Sequence, residues 1–458
     1  MPFPRHTPTI QHQRGASLMV MLVIMVIGIA ALLVGSLNSS ALNNSRQQQT
    51  SAALAQAKDA LIGYAMTYGD THSGQVHGYL PCPDNAGGAT EGTAELNCGS
   101  KDISVIGRLP WATLDLPTLR DGNGECLWYA VSGTYKNNPK TGLMNWDTNG
   151  QLQAYAADGT LLTPADNQVV AVIFSPGATQ AGQNRSGSAA PVCGGSYTVS
   201  NYLDNDTVHT INNADILTGK FIQGSNGGIV NDQMVFITRQ DIWNAIQKRT
   251  DFQSTLKMLG QQVALCLANY GNTSPGSNNS LPWPAPLVLS DYSDNTKYDD
   301  SAYLYAGRVP YNVATSNTKT SNSFSNLMTT ANCPAGWASV DPWWNNWKDQ
   351  LFYAVSQEFR PSNDTNQSCG TCLEVNGSGQ YAAVVMFASS RLAGQVRASD
   401  TTGTNSIPRG TVGNYLEDNN ASNFASANGN ENYKTAPASS TFNDVLCVID
   451  ENLSVTCP

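Results

Sequence analysis

Residues able to do chemistry are few in this 458-residue chain, and most sit in short polar runs. Asp121, Asn123 and Glu125 alternate with glycine, and Asp147, Asn149 and Gln151 are spaced alike. Alternating oxygen ligands in a tight turn suit Ca²⁺. Neither run is followed by a Glu at the EF-hand distance. A plain hairpin turn is therefore the favoured reading, with Asp121, Asn123 and Glu125 as the calcium candidates beside it. Cys369 and Cys372 form a CxxC, a spacing used in redox centres and in half-sites for zinc. No His lies nearby and no βαβ pattern surrounds it, which favours a structural disulfide. His72 and His77 precede Leu80-Pro81-Cys82-Pro83-Asp84 in what reads as a solvated loop. Trp343, Trp344 and Trp347 could form an exposed aromatic patch, although such residues are more often core. HExxH, GxSxG and Walker-type motifs are absent, as is GxGxxG in a suitable unit. The chain reads as no enzyme, with no catalytic residues, no metal site beyond that calcium alternative and no required cofactor.

Composition bounds the partners. The formal net charge is −10, from 24 Lys and Arg against 34 Asp and Glu. Nucleic acid needs clustered basic residues, so it is an unsuited partner. Only 13% of residues are charged, while Asn, Ser, Thr and Gly abound. That suits an exported β-rich protein with long polar loops. Ten cysteines, an even number, fit disulfides in an oxidising compartment. Cys447 and Cys457, close together near the C-terminal end, are the first candidate pair, and Cys369 with Cys372 the second.

The elements that would position these residues are written twice. Leu80-Pro81-Cys82-Pro83 and Gly107-Arg108-Leu109-Pro110-Trp111 match Leu281-Pro282-Trp283-Pro284 and Gly307-Arg308-Val309-Pro310-Tyr311. LWYAVS from Leu127 matches LFYAVS from Leu351, and VVAVIF from Val169 matches AAVVMF from Ala382. Asn201-Tyr202-Leu203-Asp204 matches Asn414-Tyr415-Leu416-Glu417, and Asn231-Asp232 matches Asn443-Asp444. Six blocks in one order point to a tandem duplication. The apolar, β-branched blocks predict strands. A helix should open each copy. Before the second copy, Thr238 and Asp241 cap a short helix over 239–248. Phe252, Leu256, Leu259, Val263, Cys266 and Tyr270 then form an apolar helical stripe.

The first helix is unusual. Leu18 to Leu37 is twenty residues without a charge, about 30 Å of helix and one bilayer core. Ala53, Leu54, Ala57, Leu61, Tyr64, Ala65 and Tyr68 continue it as an amphipathic stripe. Neither Pro nor Gly interrupts residues 38–62, so one helix is expected from about Ser17 to Tyr68. Arg5 and Arg14 precede the apolar run, which places the bulk of the chain across the membrane from the cytoplasm. Gly15-Ala16 stands before that run, whereas a secretory signal is cut after its apolar core.

A short basic leader ending in Gly, followed by such a helix, resembles the N-terminus of type IV prepilins and type II secretion pseudopilins. The resemblance implies cleavage by a prepilin peptidase between Gly15 and Ala16, with Ala16 as the N-methylated first residue. It implies an inner-membrane anchor, a periplasmic or surface-exposed globular part, and other pilin subunits as partners through the helix. Most pilins carry Glu at the fifth mature position, where this chain has Val20. That departure is shared with X-type minor pilins and K-type pseudopilins, which sit at or near a fibre tip. K-type pseudopilins bind calcium, and pilins often carry a C-terminal disulfide loop. LPCPD, GRLPW and the LWYAVS block also resemble large prepilin-like proteins of proteobacteria, without bringing chemistry.

The expected fold is α+β: a long N-terminal helix, its first half transmembrane, then two pilin-like lobes with antiparallel sheets. The expected divisions are a leader at 1–15, a span at 16–37, and lobes at 38–250 and 251–458. The expected function is a non-catalytic minor pilin or pseudopilin subunit. The alternative is a membrane-anchored periplasmic or surface binding protein or adhesin that never enters a fibre.

Overall fold

The computed structural model describes residues 14–86, 90–225, 228–273, 279–314, 324–362, 367–397 and 406–458. The expected leader, up to residue 13, lies outside them. Helix α1 runs unbroken from Arg14 to Thr71, close to the expected span. Gly15 and Ala16 lie in its first turn, where only the backbone is described. Among the described residues no helix is long and apolar enough to cross a membrane. The side chains of the apolar run 18–37, Met25 apart, lie outside that description.

The first sheet follows, with β1 (Val105–Arg108), β2 (Trp128–Val131), β3 (Val169–Ser175) and β4 (Gln233–Thr238) in that spatial order, all antiparallel. Helix α2 (Arg239–Ile246) leaves β4 directly. Its N-cap Thr238 accepts from the Asp241 N–H while the Asp241 side chain accepts from the Thr238 N–H, the expected reciprocal cap. Helix α3 (Thr250–Thr273) opens the second half. There β5 (Ala306–Arg308), β6 (Leu351–Val355), β7 (Ser378–Phe387) and β8 (Val445–Asp450) repeat the same order inside a seven-stranded sheet. A helix α4 (Trp337–Trp347) precedes β6. The molecule is thus α+β with several antiparallel sheets.

The repeat extends to hydrogen bonds. The Tyr129 hydroxyl donates to the Pro81 carbonyl, and that of Tyr353 to the Pro282 carbonyl. The matching pairs β3–β4 and β7–β8 slip at corresponding places, between Val169 and Ala171 and between Tyr381 and Ala383. These registers correct one expected correspondence. Trp128 pairs with Phe174 and Phe352 with Met386, so the partner of Phe174 is Met386, not Phe387. Successive strand residues face opposite ways, and a one-residue shift exchanges the faces. Phe174 and Met386 face the loop layers, while Phe387 joins the helix-side core.

Both faces are covered at β3 and at Ala382–Phe387 of β7, which is why these stretches read as near-continuous apolar runs. Ala53, Leu54, Ala57, Leu61, Ala65 and Tyr68 of α1 are buried against the first sheet. Phe252, Leu256, Leu259, Val263 and Cys266 of α3 are buried in the second half. Each fully buried Leu contributes about 1.5–3 kcal/mol. The two helix-side layers merge into one core through aromatic rings. Trp146 meets Trp347 edge-on at 4.4 Å, and Trp243 meets Trp347 at 5.7 Å. Trp344 and Trp347 are fully buried, so this group is core.

All ten cysteines are bridged: Cys82–Cys98, Cys126–Cys193, Cys266–Cys333, Cys369–Cys372 and Cys447–Cys457. The last two pairs are those expected. Closing a loop the length of Cys126–Cys193 or Cys266–Cys333 restricts the unfolded chain by roughly 4 kcal/mol. Reduction should therefore lower the melting temperature sharply in a calorimetric scan. Thiol titration finding most cysteines free in exported protein would contradict these staples.

Candidate functional site

The calcium candidates serve another purpose. Asp121 is fully buried. Its Oδ1 accepts the Asn123 and Glu125 N–H groups at 2.8 and 3.0 Å, and its Oδ2 accepts from the Ser175 hydroxyl and the Gly177 N–H. Glu125 pairs with Arg185 at 3.3 Å. The carboxylate closes its own turn and ties it to the end of β3, so it does not face a cation. That turn grips α1: the Gly122 N–H donates to Thr50 and the Gln49 amide to the Asp121 carbonyl. A Cβ on Gly122 would lie 2.2 Å from the Arg46 carbonyl oxygen, so only glycine fits there. Among the described residues no three His, Cys, Asp or Glu gather as a metal site. His77 lies in the core edge-on to Trp343, with its pKa lowered by burial, and His72 stacks on Tyr68. The solvated loop expected for the pair is thus corrected for His77. Both cysteines of the CxxC bond to each other.

Sequence reasoning missed a buried polar cluster that occurs in both halves. In the first, Arg185 donates to the carbonyls of Gly177, Asn201 and Tyr202 and to the Gln183 side chain. Arg397 makes the matching bonds to Ser389, Asn414, Tyr415 and Gln395. Tyr202 lies between the guanidinium groups of Arg108 and Arg185, and Tyr415 between those of Arg308 and Arg397. Behind each stand two carboxyls. Asp232 Oδ2 accepts from the Asp204 N–H and Asn213; Asp444 Oδ2 accepts from the Glu417 N–H and Asn420. The Asn and Asp/Glu residues in the matched blocks were the available signal: polar side chains kept at fixed places in both copies.

Burial, then the facing acid, raises the Asp232 carboxyl well above its ordinary range, and the same causes push Asp444 up to about 8. Oδ1 of each is buried with no donor among the described residues, as suits a carboxyl that keeps its proton. The sign follows from linkage. A carboxyl raised in the fold adds stability fully present below its unfolded value near 4 and lost as pH rises toward 8, at about 1.4 kcal/mol per unit. Thermal melts should therefore fall between pH 5 and 9. Asp444→Asn, whose amide can donate to Glu417 at any pH, should flatten part of that fall. An unchanged slope would mean that Asp444 does not titrate in this range.

The two halves meet at a second polar cluster. Asp147, from the first, accepts from Arg391 at 2.9 Å and from Gln350 at 2.8 Å, and lies 3.6 Å from Arg397. Burial would raise its carboxyl, but Arg397 and Arg391 outweigh that and hold it below its ordinary value. Beside it, Asp349 pairs with Arg409 at 2.5 Å and accepts from Asn145 at 3.1 Å. Asp349 is raised, by burial first, with Asp147 adding to the effect against Arg409. Lys348, held by the Asn345 carbonyl, is pushed down to about 8 by burial. These groups lock loops and halves together. The surface beside them is a cleft lined by Trp146, Asp147, Arg239, Gln247 and Arg391. Compared with known proteins, the chain matches no family model, no curated protein and no solved structure.

Proposed function

We propose that the chain is a non-catalytic minor pilin or pseudopilin-like subunit. On this reading residues 16–37 anchor it in a bacterial inner membrane, and two pilin-like lobes, 38–250 and 251–458, derive from one duplicated unit outside the cytoplasm. Its partners are a prepilin peptidase and the helices of other subunits. The observation that carries it is α1: one unbroken helix from Arg14 to Thr71, charge-free over Leu18–Leu37 and built into a globular core from Ala53 onward. Removing a leader that ends at Gly15 would take two Arg and leave a side-chain charge near −12.

Val20 supports a place at or near the fibre tip. In pilins the fifth-residue Glu is buried among helices and pairs with the N-terminal amine of a neighbouring subunit. Val20 offers no such charge, and a distal subunit has no neighbour there to lock. Mass spectrometry of protein from the native membrane tests the assignment. A start at N-methylated Ala16 supports it. A start at Met1 sinks it and leaves the unassembled anchored adhesin. Immunogold label spread evenly along shafts would sink the tip placement alone.

A further inference from the structure

We propose that the groove along the seam between the two halves binds an acidic oligosaccharide built of uronic acid units. Two hollows of about 420 and about 320 Å³ share Trp146, Gln247 and Ser390 in their walls and so form one groove. Each is of the size that small ligands occupy. One wall comes from α2 and the start of α3, the other from the end of β7 and the loop after it.

Among the described residues the charged side chains in these walls are Arg239, Lys257, Arg391 and Asp147. Arg239 is engaged elsewhere, so the cationic character comes from Lys257 and Arg391. Asp147 is already engaged by Arg391 and Arg397. The groove is thus locally cationic on a chain of net charge −10, and it favours an anion. Asp147 holds Arg391 through Nε and Nη2, which fixes the guanidinium plane and leaves Nη1 outside that contact. Fixed in this way, Arg391 suits carboxylate recognition.

Amides identify the rest of the ligand. Gln240, Asn244, Gln247 and Gln253 line the groove, each carrying donor and acceptor in one side chain. Sugar hydroxyls also donate and accept, so an array of amides matches an array of hydroxyls. The Trp146 indole N–H is a buried donor with no acceptor among the described residues, in a residue only 7% exposed. Leu256, Phe387 and Val445 give the inner hollow an apolar lining for the C–H face of a sugar ring. A polyanion bound by charge alone would need neither the amides nor this lining.

The inference stands whether or not Gly15 is cut. Full-length protein in detergent is titrated calorimetrically with trigalacturonate, maltotriose, a triglutamate peptide and a single-stranded oligonucleotide. Trigalacturonate should bind, and neutral maltotriose about tenfold more weakly or less. Lys257→Gln, on the exposed face of α3, should weaken trigalacturonate several-fold without moving the melting temperature. Lys248→Gln, exposed and outside the groove, should change nothing. Equal binding of the two sugars, triglutamate or oligonucleotide binding as tight as trigalacturonate, no binding at millimolar sugar, or an unaffected Lys257→Gln would each overturn the proposal.

Discussion

Asp147→Ala should destabilise the whole molecule by about 3–5 kcal/mol, the usual loss when one partner of a buried ion pair is removed. Arg397 is fully buried at the side chain and Arg391 mostly so, and both meet Asp147. Without that carboxylate two guanidinium groups of the second half lose their shared counter-charge at the seam. Asp70→Asn is the control: its bond to Arg249 is half exposed, and such pairs are worth at most about 1 kcal/mol. Asp147 also sets an acid limit. Its carboxyl is depressed in the fold, so its stabilisation is present above the ordinary carboxylate value and lost as pH falls through the folded one. Urea titrations at pH 7 and pH 3 should show wild type and Asp147→Ala converging at the lower pH. Wild-type stability at pH 7 in the variant would mean that the seam does not depend on the Asp147 ion pairs.

Gly15→Leu should abolish processing outright. On the proposed reading the peptidase must close around the chain just before the apolar run, and a side chain there obstructs it. Wild type should start at Ala16, and Gly15→Leu should accumulate only the precursor, some fifteen residues heavier. Gly15→Ala, which adds a single methyl, should give a mixture. Anti-pilus pull-downs should recover wild type and not Gly15→Leu. A variant cut like wild type would detach this residue from the leader reading.

The parts that were legible in the sequence are those decided by near neighbours in the chain. The stripes of α1 and α3 and the Thr238 cap depend on residues three and four apart, and the structure places them as expected. Helix α4 was missed because Pro342 inside it removes a helical donor, although Trp337, Val340, Trp344 and Trp347 keep a helical spacing of three and four. The one-residue error at β7 arose because Ala382–Phe387 is apolar throughout, so letters alone could not say which residues face the helices. Asp121 shows a different limit. Its Asp-Gly-Asn-Gly-Glu spacing fits a metal loop and a self-closed turn equally, and only Ser175 and Gly177, more than fifty residues on, decide between them. The seam was invisible for the same reason: Asp147 and Arg391 are 244 positions apart.

The disulfide pattern has a mechanical consequence. A pull on this molecule through α1 would enter the first sheet at Ala53 and reach the second only across the seam. Once the seam gives, a chain without crosslinks would pay out its full contour. Here the 67-residue separations of Cys126–Cys193 and Cys266–Cys333 are short-circuited by covalent bonds. At about 3.6 Å per extended residue, each withholds roughly 240 Å of length. Under tension the protein should therefore yield in short steps, remaining a compact tether at loads that unfold its sheets.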